Sequence, residues 1–194
     1  MRNIKKCIAL NRKKEDKKMI SRFCFLVFVL FLFGSSSNAI PESEVKSICI
    51  KTQNPPFCVT LLSSNPNATI AELTQTTIDI ARTNVSNAIT LIKKLIDESE
   101  KNPKAKGHYK ACLDHFGEDG ALGDVDYTQE LLKKGDFKGV NVAAASITDD
   151  VEDCISGESP TDPAFDDHSS LPSYAIVIES VVSVLLVLSK HLGH

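Results

Sequence analysis

The sequence predicts an all-α protein: an up-down-up-down four-helix bundle preceded by a short helical hairpin and held by two disulfides. Three observations carry that prediction. Apolar residues recur at three- and four-residue steps through most of the chain, the period of a helix with one buried face. The alternation that marks a half-buried strand is nearly absent. Four cysteines, Cys49, Cys58, Cys112 and Cys154, follow an N-terminal stretch that reads as a secretion signal.

Residues 1–39 are expected to be a cleaved signal peptide. Residues 23–33 form an unbroken apolar run, short for a membrane span and suited to a signal's apolar segment. Lys13, Lys14, Lys17, Lys18 and Arg22 precede it, and Ser37-Asn38-Ala39 offers a small-x-small cleavage site. A start at Met19 would give a more compact signal and leave 1–18 as an upstream extension; a signal anchor is the alternative. Removing the leader takes nine of the 22 basic and two of the 25 acidic residues, leaving 13 against 23, a net charge of −10. That balance argues against nucleic acid as a ligand and suits a basic protein partner, although surface acid also simply keeps a protein soluble. The remaining 155 residues suffice for one domain with a core of its own.

Residues 40–65 read as the hairpin, with helical pieces over 42–52 and 56–63. Asn54-Pro55-Pro56 turns the chain between them, because proline disfavours helical geometry in the residue before it. Residues 66–194 supply the bundle. Over 67–99, Ile78, Ala81, Val85, Ala88, Ile92 and Leu95 share one face, with Asn84 and Asn87 off it. Over 104–134, Tyr109, Cys112 and Phe116 form a first apolar face and Leu122, Val125, Leu131 and Leu132 a second. Gly117, Gly120 and Gly123 lie between and around them, each costing about 1 kcal/mol against alanine inside a helix, so a kink or short loop is expected there. Gly135 then stops the helix and Asp136 caps the next, whose stripe is Val140, Ala143, Ala144, Ile147, Val151 and Cys154. Residues 158–171, with Pro160 and Pro163, read as a connecting loop. A last helix over about 172–191 buries Tyr174, Ile178, Val181, Leu185 and Leu188. The run 175–188 would also fit the tail of a glycolipid-anchor signal or a membrane segment. It is short and holds Glu179, and the bundle lacks a fourth helix without it, so no stable membrane anchor is expected.

Four cysteines allow three connectivities; local pairing of Cys49 with Cys58 would leave Cys112 for Cys154. Asn67-Ala-Thr69 and Asn84-Val-Ser86 are glycosylation sequons, and Asn67 and Asn84 are the expected acceptors on a secretory route. His108, Asp114 and His115 lack the further ligands that a metal site needs, and both histidines are expected at the surface. No nucleophile elbow, phosphate-binding loop or His-Glu-x-x-His motif is present, so neither enzymatic activity nor a cofactor is expected.

The segment Cys49-Ile-Lys-Thr-Gln-Asn-Pro-Pro-Phe-Cys58 resembles the N-terminal hairpin of the plant invertase and pectin methylesterase inhibitor family. Gly107-His-Tyr-Lys-Ala-Cys112 resembles the start of that family's third-cysteine helix. Lys134-Gly-Asp-Phe137, Val140-Asn141 and Ala143-Ala-Ala145 resemble the approach to its fourth cysteine. The match covers nearly the whole chain after the leader. The resemblance implies a four-helix bundle with a helical hairpin, and disulfides Cys49–Cys58 and Cys112–Cys154. It further implies a secreted, cell-wall protein that inhibits pectin methylesterase by reversibly blocking its active-site cleft, with acid invertase as the alternative partner. A non-inhibitory structural or signalling bundle is the reading from another class. Three segments depart from the family: the Gly117–Gly120 stretch is slightly longer than the family's, which argues against a straight second long helix. Asp153-Cys154-Ile155-Ser156 stands where pectin methylesterase inhibitors often carry Thr-Cys-Glu-Asp. Pro163-Ala164-Phe165 stands where invertase inhibitors tend to carry Pro-Lys-Phe. Neither subtype signature is intact. The expected target contacts are Asp149, Asp150, Asp153, Ser156, Pro163 and Phe165; the acids would act by steering and hydrogen bonding rather than proton transfer.

Overall fold

The structure is a computed structural model that describes residues 40–157 and 165–192. Among them are seven helices and no strand: α1 (Glu42–Cys49), α2 (Pro55–Ser63), α3 (Ile70–Glu98), α4 (Pro103–Phe116), α5 (Ala121–Lys134), α6 (Phe137–Ser156) and α7 (Leu171–Ser189). The expected signal peptide and Pro163 lie outside the described residues.

Side chains at the helix starts explain why the elements begin where they do. Asn54, Asn102 and Asp136 each accept a hydrogen bond from a backbone N–H three residues on, at 3.2, 3.2 and 2.9 Å. Each thereby satisfies a donor that the first turn leaves unpaired. Thr69 and Glu72 form a reciprocal capping box: Glu72 N–H donates to Thr69 Oγ1 and Thr69 N–H donates to Glu72 Oε2. This box starts α3 at Ile70 and leaves Asn67 in the turn before it. Gly135 ends α5 in the left-handed conformation, φ 74°. An L side chain is strained at that φ, which is why the Lys-Gly-Asp step serves as a stop and restart.

The second long segment is two helices. Gly117 O accepts from Gly120, Leu122 and Gly123 N–H, closing a tight turn, and α5 resumes with Asp124 N–H donating to Gly120 O. A Cβ on Gly120 would run into the His115 carbonyl, and one on Gly123 into the Glu118 carbonyl. The close approach of backbone to backbone therefore requires the glycines that weaken this stretch as a continuous helix.

In the bundle, α3 packs against α7 and against α4 and α5; α6 packs against α4, α5 and α7. The four rods, with α4 and α5 as one, close a ring, so every inward stripe has partners on two sides. Ile78, Ala81, Val85, Ala88 and Ile92 of α3 are fully buried against Cys112 and Phe116, Val125, Ile147, Val151, Ile178 and Leu185. Each large aliphatic side chain so buried contributes about 1.5–3 kcal/mol. A second core joins the hairpin to the base of the bundle: Val45, Ile48 and Leu62 pack with Leu73, Val184 and Leu188. The apolar α7 is long enough to cross a bilayer by length and composition, yet most of it lies inside the protein, where it lines both cores.

Candidate functional site

Helix α6 presents the predicted acidic contacts because its inward positions are already occupied. Ile147, Val151 and Cys154 face the core, so Asp149, Asp153 and Ser156 project to solvent. Ser156 Oγ donates back to Glu152 O at 2.7 Å, which keeps the hydroxyl on the helix surface. Asp150 differs: it is partly buried beside Asp124 of α5. Burial, then Asp124 and the neighbouring acids Asp153 and Asp149, push the Asp150 carboxyl up to about 6, with His115 opposing. Burial and Asp149 raise Asp124 as well, while a hydrogen bond with Asp150 works the other way. Asp150 is the more strongly raised of the two, so a proton bound by the pair is carried by Asp150. Glu179 of α7 is raised by burial and by Glu152. Among the described residues no group of three His, Cys, Asp or Glu is arranged to hold a metal ion.

The second set of contacts gathers on α4. Cys112 is bonded to Cys154 with Cα atoms 4.6 Å apart, which ties the last turns of α6 to this helix. One turn earlier, the His108 ring stacks on Phe165 with centroids 4.4 Å apart and planes at 25°. Tyr109 meets the same phenylalanine edge-on at 5.9 Å. Tyr109 OH donates to Asp167 Oδ1 at 2.8 Å, and so does the backbone N–H of Ser169, at 2.8 Å. Burial and this bond hold the Tyr109 phenol above its ordinary value. His108 Nε2 lies 3.9 Å from Asp167 Oδ2, with side chains only 10% and 5% exposed. Burial holds the His108 pKa below the usual 6.5, with Asp167 opposing.

These placements amend several expectations. His108 is not a surface histidine; it is enclosed by Phe165, Tyr109 and the Cys112 sulfur. Phe165 has its ring against α4, packed on the edge of the bundle core. The structure brings Asp149, Asp150, Asp153 and Ser156 onto one helix, and Phe165 onto α4 beside the disulfide that anchors that helix. Asn67 is exposed in the turn before α3, whereas Asn84 is half-buried in mid-helix, its Nδ2 donating to Ile80 O at 2.8 Å. Sequence reasoning missed Asp124 and Asp167. Both are ordinary acids by spacing, and only the packing of distant segments gives them partners. Cys49 and Cys58 are bonded across the hairpin with Cα atoms 5.4 Å apart, so both disulfides pair as expected.

The comparisons with known proteins point one way. Pectinesterase inhibitor 1 of Arabidopsis thaliana is 28% identical over 170 residues, 86% of this chain and 91% of the relative. The pectinesterase inhibitor of Actinidia deliciosa is 25% identical over 175 residues, 85% of this chain and 89% of the relative. A crystal structure of a mutant form of a pectin methylesterase inhibitor from Arabidopsis superposes with a TM-score of 0.65 at 25% identity, covering 76% of this chain and 95% of that one. The family model described as plant invertase/pectin methylesterase inhibitor matches residues 43–184. That span runs from the hairpin to the middle of α7 and includes all four bonded cysteines, so the chain belongs to the plant invertase/pectin methylesterase inhibitor family.

Proposed function

We propose that this protein is a secreted inhibitor of pectin methylesterase that works by reversibly plugging the enzyme's active-site cleft. The family is one of inhibitors, and the chain is not itself an enzyme. The observation that carries the choice of target is that the relatives described above, matched over more than four fifths of this chain, are pectinesterase inhibitors. Two buried disulfides suit an oxidising extracellular location such as the cell wall.

In this reading the bundle is a rigid plug. Its inward stripes fix α6, and α6 carries Asp149, Asp153 and Ser156 toward the enzyme, with Asp150 behind them and Phe165 packed on α4, the helix that the Cys112–Cys154 bond ties to α6. The acids steer a basic surface into place and hydrogen-bond to it; they transfer no proton. Pre-organisation keeps the conformational entropy lost on binding small. Asn67, exposed in a turn, is the better placed of the two glycan acceptors. Burial of α7 in both cores supports its reading as a bundle helix rather than a membrane anchor.

The test is direct. The disulfide-bonded protein is mixed with a pectin methylesterase and, separately, with an acid invertase, and demethylesterification and sucrose hydrolysis are followed. Loss of the first activity alone is expected. Loss of the second alone would transfer the assignment to invertase. Inhibition of neither at about micromolar protein, where an affinity worth roughly 8 kcal/mol would already register, would leave a non-inhibitory bundle.

A further inference from the structure

We propose that the lysine-rich corner between α3 and α4 binds a polyuronate, the polymer of sugar carboxylates that demethylesterification of pectin leaves behind.

Charge is unevenly spread over this chain. Residues 93–110 hold six lysines, Lys93, Lys94, Lys101, Lys104, Lys106 and Lys110, against three acids, Asp97, Glu98 and Glu100, a net of +3. The other seven of the 13 basic residues after the expected leader stand against the other twenty of the 23 acids, a net of −13. Lys106 is half-buried and the other five lysines of the corner are exposed. Lys94 pairs with Glu98 at 3.6 Å, and Lys106 pairs with Glu100. Lys93, Lys101, Lys104 and Lys110 form no ion pair among the described residues, so their charge is available to a ligand.

The fold gathers these side chains. α3 ends at Glu98 and α4 begins at Pro103, so residues 99–102 alone join the two packed helices, and Lys101 sits in that turn. A rise of about 1.5 Å per residue puts Lys104 and Lys110 about 9 Å apart along α4. Lys106 and Lys110, four residues apart, share a face. Both act on Glu100, whose carboxyl is lowered by the hydrogen bond and charge of Lys106 and more weakly by Lys110. Helix electrostatics accounts for only part of the cluster. Cations suit the C-terminal end of a helix, where Lys94 offsets the α3 dipole. They do not suit the N-terminal end, yet Lys104 and Lys106 stand in the opening turns of α4, whose first turn holds no acid. A local rule broken where packing demands nothing points to a ligand.

The chemistry of the corner selects among anions. Its cations are all lysine, compact point charges that lack arginine's bidentate fork, which suits single carboxylates spaced along a sugar chain. Tyr109 is the one Phe, Tyr or Trp within 93–110 and is buried, so no such ring is offered for a nucleic-acid base to stack on. The acidic remainder of the chain further repels a densely charged nucleic acid. The identity of the polymer rests on the proposed function: each methyl ester hydrolysed leaves a carboxylate, so the target enzyme makes this anion beside its inhibitor. α3 lies across the ring from α6, which places Lys93 and Lys94 on the far side of the bundle from Asp149 and Asp153.

The disulfide-bonded protein is titrated into polygalacturonate and, separately, into highly methyl-esterified pectin, with binding read by calorimetry at about pH 6, where sugar carboxylates are charged as ordinary side-chain acids are. Binding to polygalacturonate is expected at about 20 mM salt, weakened about tenfold at about 150 mM. Lys101→Glu, Lys104→Glu and Lys110→Glu together should weaken it by about tenfold or more. Lys133→Glu with Lys138→Glu, at the other end of the rods, should bind as the parent does. Absence of binding, equal binding of the esterified polymer, parent-like binding by the triple variant, an equal loss in the control, or tighter binding of a single-stranded oligonucleotide would each overturn the proposal. Should the triple variant fail to fold, Lys101→Gln with Lys110→Gln decides: a loss of about threefold supports the site and unchanged binding refutes it. Inhibition of a pectin methylesterase is assayed apart from binding. Polygalacturonate binding without inhibition would leave this site standing and sink the proposed function alone, and inhibition without binding would do the reverse.

Discussion

Asp150 shows how one residue can carry a pH dependence. It lies on the acidic face of α6, but its carboxyl turns toward Asp124 and away from bulk water, and it is pushed up to about 6. A carboxyl raised in the folded state binds its proton there more readily than in the unfolded chain. Stability therefore increases as pH falls through about 6, and the gain is complete below the unfolded value of 3.8. Asp150→Asn should flatten this dependence, because the amide donates to Asp124 as the protonated acid does. Discounted for solvent screening, the variant should be about 1 kcal/mol more stable than the parent at neutral pH, or roughly 3 °C in Tm. Near pH 4 the difference should vanish. Thermal melts across that range check it, and a parallel pH dependence in both proteins would contradict the assignment. The acids at 149, 150 and 153 are legible in the sequence as a solvated helix face. That Asp150 alone among them is paired is not, because its partner comes from another helix 26 positions away in the chain.

At the scale of elements, the break between α4 and α5 is where local propensity and packing agree. The glycines at 117, 120 and 123 announce an interruption, and the structure shows why two of them are needed: a Cβ at Gly120 would run into the His115 carbonyl and one at Gly123 into the Glu118 carbonyl. Gly120→Ala should force the His115 carbonyl aside and destabilise the fold by about 1–3 kcal/mol, the usual cost of overpacking. Denaturant unfolding measures this. A stabilised Gly120→Ala would mean that this stretch prefers a continuous helix. The start of α6 is readable for the same local reason: Asp136 acts on a donor three residues away. The course of residues 165–170 was not readable. Its Asp167 meets Tyr109, 58 positions distant, and no periodicity in either segment encodes that meeting.

For the whole molecule, the two disulfides do different work. Cys49–Cys58 closes a loop with a separation of 9 residues inside the hairpin, and Cys112–Cys154 spans 42 residues between two rods of the bundle. The chain-entropy model assigns them about 3 and about 4 kcal/mol, the larger to the longer loop. Replacing Cys112 and Cys154 by alanine should therefore cost more in guanidinium unfolding than replacing Cys49 and Cys58. The reverse order would show that the hairpin link stabilises chiefly through the second core that it anchors to α7. The sequence by itself determined the helical class, the stripes, most helix ends and a cysteine pattern specific enough to resemble one family, because each depends on spacing along a single helix or turn. Only the tertiary structure decided which acids are paired, that His108 is enclosed, and that Phe165 packs on α4. Those outcomes depend on which segments the ring of helices brings within a few ångströms, and contact between distant segments leaves no period in the chain.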